Sequence, residues 1–193
     1  SNLKQQKTFN EDSIIKLMII EDNRFTRIGW EAVIQANKNF NLVGSFSDCE
    51  SAFGSDVPQT ADVVLMDIGL PGISGIDGVK YLKEKFHDIL IVMCTVHEDS
   101  EEIFQAICAG AVGYLTKRTS PEELIKSLIE AYNGGSPMTP SVARKVIGSF
   151  QNVKAFDDEN KISELNEREE QILNLRAQGK SYNAIADEVY LSI

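Results

Sequence analysis

Five polar residues stand where apolar runs end. Glu21 and Asp22 follow Leu17-Met18-Ile19-Ile20, Asp67 follows the run from Val63 to Met66, Thr95 follows the run ending at Cys94, and Lys117 follows the run from Gly113 to Thr116. If the ends of these runs meet, three carboxylates share one place. Two such charges repel by about 4 kcal/mol at ~4 Å and an effective dielectric of about 20, so a positive partner must sit among them. A divalent cation is the natural occupant. Oxygen-only ligands with open positions favour Mg2+, with Mn2+ as the alternative, because Mg2+ keeps waters and accepts phosphate oxygens. A carboxylate facing such a cation, with the Thr95 hydroxyl and the Lys117 ammonium converging on it, is equipped to attack phosphorus and to neutralise the transferred group. Asp67 is the nucleophile in this reading.

The elements that must position these groups follow from the periodicity. Lys16 to Ile20, Phe40 to Phe46, Val63 to Met66, Ile89 to Cys94 and Gly113 to Thr116 read as strands, and Asn23 to Asn37, Asp48 to Ser55, Gly75 to Phe86, Ser100 to Ala109 and Ser120 to Asn133 read as helices. Nearly continuous apolar strands alternating with helices predict an α/β fold, a doubly wound five-stranded parallel sheet covered on both faces. In the strand order 2-1-3-4-5 the switch point lies between the first and third strands, which brings Glu21, Asp22 and Asp67 to one crevice. The fifth helix has the clearest local signals: Ser120 as N-cap, Pro121 at the first helical position, Glu123 placed to close a capping box, and Asn133-Gly134-Gly135 as terminator.

With these residues assembled, the chain resembles response-regulator receiver domains. The intervals from Asp22 to Asp67, Asp67 to Thr95 and Thr95 to Lys117, 45, 28 and 22 residues, carry the resemblance together with the string Asp67-Ile68-Gly69-Leu70-Pro71-Gly72-Ile73-Ser74-Gly75. It extends over residues 14–135 and implies a flavodoxin-like receiver. It further implies that Glu21, Asp22, Asp67 and the backbone carbonyl of Gly69 hold Mg2+, that Thr95 hydrogen-bonds the phosphoryl oxygens, and that Lys117 pairs with them. Tyr114 falls where receivers carry an aromatic switch residue, and the implied donor is a phosphohistidine on a sensor histidine kinase. Phosphorylation is expected to bias the surface of the fourth helix, fifth strand and fifth helix and to favour a homodimer. Two positions depart from the family pattern. Arg118 replaces the proline that often follows the lysine, and Val96 is bulkier than the small residue common after the threonine, which predicts slow loss of the phosphoryl group by attack of water.

Residues 136–162 contain Pro137, Pro140, a short helical stretch from Ser141 to Phe150 and the polar run Asp157-Asp158-Glu159-Asn160-Lys161, a linker composition. From 163 to 193, Asn166 caps one helix that Gly179 ends, and Ser181 caps a second. This string resembles the opening of a LuxR-type helix-turn-helix and places the chain with NarL/LuxR-type response regulators. In that resemblance Ser192 falls at the N-cap of the recognition helix, so the base-reading element is expected to be missing. Residues 161–193 carry four basic against six acidic side chains, which predicts weak or absent DNA binding by this chain, although the resemblance implies a DNA-binding full-length regulator.

Composition limits the other classes. At 193 residues with 42% hydrophobic content, the chain is long enough for one ordinary domain and a small second one, and its net charge of −10 is opposite in sign to a nucleic-acid-binding footprint. No apolar run is long enough to span a bilayer, and a cytoplasmic protein with no membrane partner is expected. Cys49, Cys94 and Cys108 are odd in number and widely spaced, which suits packing rather than disulfides or zinc. His87 and His97 lack metal-ligand spacing, though His97 lies two past Thr95, and Trp30 reads as packing. An aspartyl-nucleophile phosphatase needs a second carboxylate two residues on, where Gly69 stands. The expectation is therefore not a turnover enzyme but a protein that phosphorylates itself from phosphodonors and dephosphorylates slowly. A receiver with a helical protein-binding output is the alternative.

Overall fold

A computed structural model describes residues 9, 10 and 12–150. Five parallel strands, β1 (Ile15–Ile20), β2 (Phe40–Phe46), β3 (Val63–Met66), β4 (Leu90–Thr95) and β5 (Gly113–Thr116), form one sheet in the order β2-β1-β3-β4-β5. The connecting helices are α1 (Arg24–Gln35), α2 (Cys49–Phe53), α3 (Gly75–Lys85) and α4 (Ser100–Ala109), and α5 (Pro121–Tyr132) follows β5. A sixth helix, α6, starts at residue 140. The second helical region expected over residues 163–193 lies outside the described residues, and no described helix is long and apolar enough to cross a membrane.

The strands are largely apolar, and β3 wholly so, because both faces of the sheet are covered. Met18, Ile20, Val64, Met66, Ile91 and Met93 turn to one side, where Val79 and Leu82 of α3 and Ile103 and Ala106 of α4 pack. Ile15, Leu17, Ile19, Leu65 and Val92 turn to the other, against Trp30 and Ile34 of α1 and Leu124 and Leu128 of α5. This alternation is the period-two consequence of strand geometry.

The local signals act largely as the sequence predicts. Asn23 caps α1 by accepting from Phe25 and Thr26 N–H, and Asp48, Ser74, Asp99 and Ser120 cap the helices they precede. The capping box at α5 is half made. Ser120 accepts from the Glu123 N–H, but the Glu123 carboxylate turns to Lys126 at 3.0 Å instead of reaching back. An i,i+3 ion pair has displaced the reciprocal bond. The second helix is shorter than its pattern, ending at Phe53 before a 3₁₀ turn over Val57–Gln59 that Pro58 helps set. The segment after α5 also differs from a simple tether. Pro137 to Thr139 lie along β5, with one parallel bridge between Tyr114 and Met138, and Val142 of α6 is fully buried in the core.

Candidate phosphoryl-transfer site

Strand register builds the site. Ile20 pairs with Met66, so the next residues, Glu21 and Asp67, stand side by side past the carboxyl ends of β1 and β3. Thr95 pairs with Thr116, which leaves Lys117 one step past the end of β5, its N–H donating to the Thr95 carbonyl at 3.0 Å. Neighbouring parallel strands that end together thus bring their first polar residues into one crevice. Gly75 is what lets α3 start against this loop. A Cβ there would fall 2.2 Å from the Asp67 carbonyl oxygen, so only glycine permits the approach.

Glu21 is fully buried and Asp67 is 4% exposed, while Asp22 opens to solvent. Lys117 bridges the two buried acids, its Nζ at 2.6 Å from Glu21 Oε2 and 2.7 Å from Asp67 Oδ2. The remaining carboxylate oxygens are held by the backbone, Asp67 Oδ1 accepting from Ile68 N–H at 2.7 Å and Glu21 Oε1 from Asn23 N–H at 2.9 Å. Burial pushes the Glu21 carboxyl above its ordinary range, partly opposed by Lys117 and the Asn23 N–H. For Lys117 burial acts to lower the pKa, but its contacts with Asp67 and Glu21 outweigh it and hold the ammonium above its usual value. The lysine therefore stays charged.

Glu21, Asp22 and Asp67 offer carboxylate oxygens that all lie within 4.8 Å of one another. Glu21 Oε2 is buried, and its partner is the Lys117 ammonium at 2.6 Å. A hard, oxygen-only donor set of three carboxylates fits a divalent cation.

The structure brings together the other predicted residues as well. Thr95 is fully buried and its Oγ1 accepts from the His97 N–H at 3.1 Å. Tyr114 is also fully buried, and its hydroxyl donates to the His97 carbonyl at 2.9 Å. Burial raises the Tyr114 phenol well above its usual pKa, so it stays a neutral donor. His97 is nearer the site than its spacing suggests: its Nε2 lies 3.2 Å from where a Cβ on residue 69 would stand. Val96 is 70% exposed. Cys94 is buried beneath the site, its thiol pushed up to about 12 by desolvation, and Cys49 behaves alike. Both are packing residues in their neutral form.

Two contributors escaped the sequence reading. Arg27 of α1 donates from Nη1 to the Glu21 carbonyl at 2.6 Å, pinning the acidic turn from below. Trp30, one helical turn further on, carries the Lys117 ammonium 5.7 Å from its ring centroid, within cation–π range. The i,i+3 spacing of Arg27 and Trp30 places both on the helix face that meets the crevice, a signal readable only once α1 is known to pack there.

An acidic crevice at the switch point of a 2-1-3-4-5 sheet, closed by a lysine from the last strand, is the layout of a two-component receiver domain. Residues 17–129, more than half of the chain, match the family described as the response regulator receiver domain, and the chain belongs to that family. It is 28% identical over 179 residues to response regulator UvrY of Escherichia coli strain K12, covering 93% of this chain and 81% of that one. It is 29% identical over 182 residues to the transcriptional regulatory protein LiaR of Bacillus subtilis, covering 93% of this chain and 84% of that one. Among solved structures, a LuxR-family two-component response regulator from an Aurantimonas species superposes with a TM-score of 0.66 at 28% identity, over 71% of this chain and 98% of that one.

Proposed function

We propose that this response regulator accepts a phosphoryl group on Asp67 from the phosphohistidine of a sensor histidine kinase. The observation that carries the reading is Lys117, an ammonium held between a fully buried Glu21 and Asp67 at the switch point of the sheet. In the transfer an Asp67 carboxylate oxygen bonds to phosphorus while the P–N bond breaks, and the electron pair leaves on the imidazole nitrogen. Lys117 exchanges its contact with the carboxylate for one with the phosphoryl oxygens, and the Thr95 hydroxyl turns to the same group. Glu21, Asp22, Asp67 and the Gly69 carbonyl would hold Mg2+, or Mn2+ in its place, and that ion supplies neutralisation of charge on the phosphoryl oxygens. Trp30 and Arg27 keep the lysine and the acidic turn in place. Val96, at the start of the loop after β4, slows attack of water on the acyl phosphate.

Tyr114 is the switch residue of this reading, following Thr95 when Asp67 is phosphorylated and favouring a homodimer. The output is control of transcription through a LuxR-type segment over residues 163–193, after a receiver over 14–135 and a connecting segment over 136–162. The name of the LiaR relative, a transcriptional regulatory protein, supports the transcriptional output, and the LuxR family of the Aurantimonas neighbour supports the type of segment. Residues 161–193 by themselves hold more acidic than basic side chains, so feeble DNA binding by this chain is expected. A cytoplasmic location accords with partnership to a kinase.

Incubation with Mg2+ and acetyl phosphate tests the central step. Intact-mass measurement should show the gain of one phosphoryl group in the wild type and none in Asp67→Asn. A wild type that gains no mass overturns the reading.

A further inference from the structure

At Tyr114 the outer side of the β5 backbone is satisfied by the chain's own continuation. Tyr114 N–H donates to the Pro137 carbonyl at 2.9 Å, and Thr139 N–H donates back to the Tyr114 carbonyl at 3.4 Å. The two strands of this contact run closer than side chains allow: a Cβ on Gly113 would fall 2.8 Å from Pro137 Cγ and 2.9 Å from its carbonyl oxygen. An edge strand would otherwise expose a row of unpaired N–H and C=O groups. Residues 136–147 then continue into α6, where Val142 is fully buried in the cluster that holds Ile103, Ala106 and Tyr114, with Met138 and Val146 packed around it.

One polar contact fastens this arm to the loop that leaves the site. Lys145 of α6 donates from Nζ to the Glu98 carbonyl oxygen and stands 3.5 Å from the Glu98 carboxylate. Glu98 pairs on its other side with Arg118, next to Lys117, at 2.8 Å. The same loop is tied one residue earlier to Thr95 Oγ1 and to the Tyr114 hydroxyl, both through His97. Thr95, His97, Glu98 and Lys145 therefore form a continuous series of contacts from the crevice to the arm.

We infer that residues 136–147 are a readout arm, clasped through Glu98 and Lys145 while Asp67 is unmodified and loosened when it is phosphorylated. The inference rests on the function proposed above. A Thr95 hydroxyl drawn to a phosphoryl group either abandons the His97 N–H or pulls the loop with it. Either movement displaces the Glu98 carbonyl from Lys145, and Tyr114, which is bonded to both the loop and Pro137, carries the same disturbance to the β5 edge. Coupling of this kind is reciprocal at equilibrium, so a chain whose clasp is cut should also favour the phosphorylated form.

Hydrogen–deuterium exchange of the whole chain, read by mass spectrometry on peptides covering 136–147, tests it. With Mg2+ and acetyl phosphate the arm should exchange about tenfold faster, within the usual range of site-to-site coupling, and Asp67→Asn should show no change. Lys145→Met should show fast arm exchange without any phosphodonor, little further change with it, and a larger phosphorylated fraction than the wild type once the mass gain has levelled off. A wild type that gains the phosphoryl mass yet keeps its arm protected overturns the clasp and leaves Asp67 as the acceptor. Absence of any mass gain overturns both. Wild-type arm protection in Lys145→Met also overturns the clasp, whatever phosphorylation does.

Discussion

The crevice at the strand ends and the outer edge of β5 are both organised by the same short strand, but opposite kinds of force hold them. In the crevice, two buried carboxylates are kept in place by strand register and stabilised by a single ammonium at 2.6 and 2.7 Å. At the edge, backbone hydrogen bonds and the burial of Val142 do most of the work, and the one clasping ion pair is partly open to solvent. Charges buried without a matching partner are costly, so the crevice depends steeply on each member. The edge is graded, because a paired backbone and an apolar anchor lose stability in smaller steps. A site that must respond to a doubly charged group suits the first arrangement, and an element that must move suits the second.

Removing the ammonium should disturb the crevice far more than any change at the β5 edge. In Lys117→Met, Glu21 and Asp67 face each other uncompensated, and the chain without divalent cation should lose about 3 kcal/mol by urea denaturation. Mg2+ should restore more stability to this variant than to the wild type, while phosphorylation from acetyl phosphate is lost. An unchanged urea midpoint would show that the crevice tolerates its charges without the lysine.

The pH dependence of stability gives the next effect. Burial holds the Glu21 carboxyl above its ordinary value of 4.5, so the folded protein binds the proton more tightly than the unfolded chain. Its contribution is fully present below pH 4.5 and is lost as pH rises through the raised folded value. Glu21→Gln should remove that downward slope in denaturation free energy measured without divalent cation, and should also reduce the gain in melting temperature on adding Mg2+. Parallel pH profiles for the two proteins would contradict the assignment.

The smallest effect belongs to the edge. Gly113→Ala forces a Cβ onto Pro137 and should cost about 1–3 kcal/mol as overpacking. Amide exchange at Thr139 should rise, yet phosphorylation should persist at a rate within severalfold of the wild type. If Gly113→Ala instead abolishes phosphorylation, the two regions are one unit and the distinction between them fails.

Much of the crevice was legible because each functional residue interrupts a pattern. Asp67 and Lys117 follow apolar runs at points where the period-two logic offers no reason for charge, and the same logic located the strands to within a residue. Ser120 announces the start of α5 through chemistry confined to three residues, and the structure shows Asn23, Asp48, Ser74 and Asp99 capping their helices in the same way. The arm was legible only in part: its helix was expected from Ser141, but not its packing along β5. Pro137 and Pro140 suggest a linker, but proline is equally at home beside an edge strand, and Lys145 reads as surface until Glu98 is found beside it.

The α/β class, the order of strands and helices and the identity of the acidic, hydroxyl and ammonium groups could be read from the residues alone, because they depend on periodicity and on neighbours within a few residues. The three-dimensional packing is what reveals that Lys117 bridges Glu21 and Asp67, that Trp30 and Arg27 support them, and that residues 137–139 pair with the β5 edge at Tyr114. Those contacts join groups from separate elements, and their distances are set by packing that no local pattern encodes.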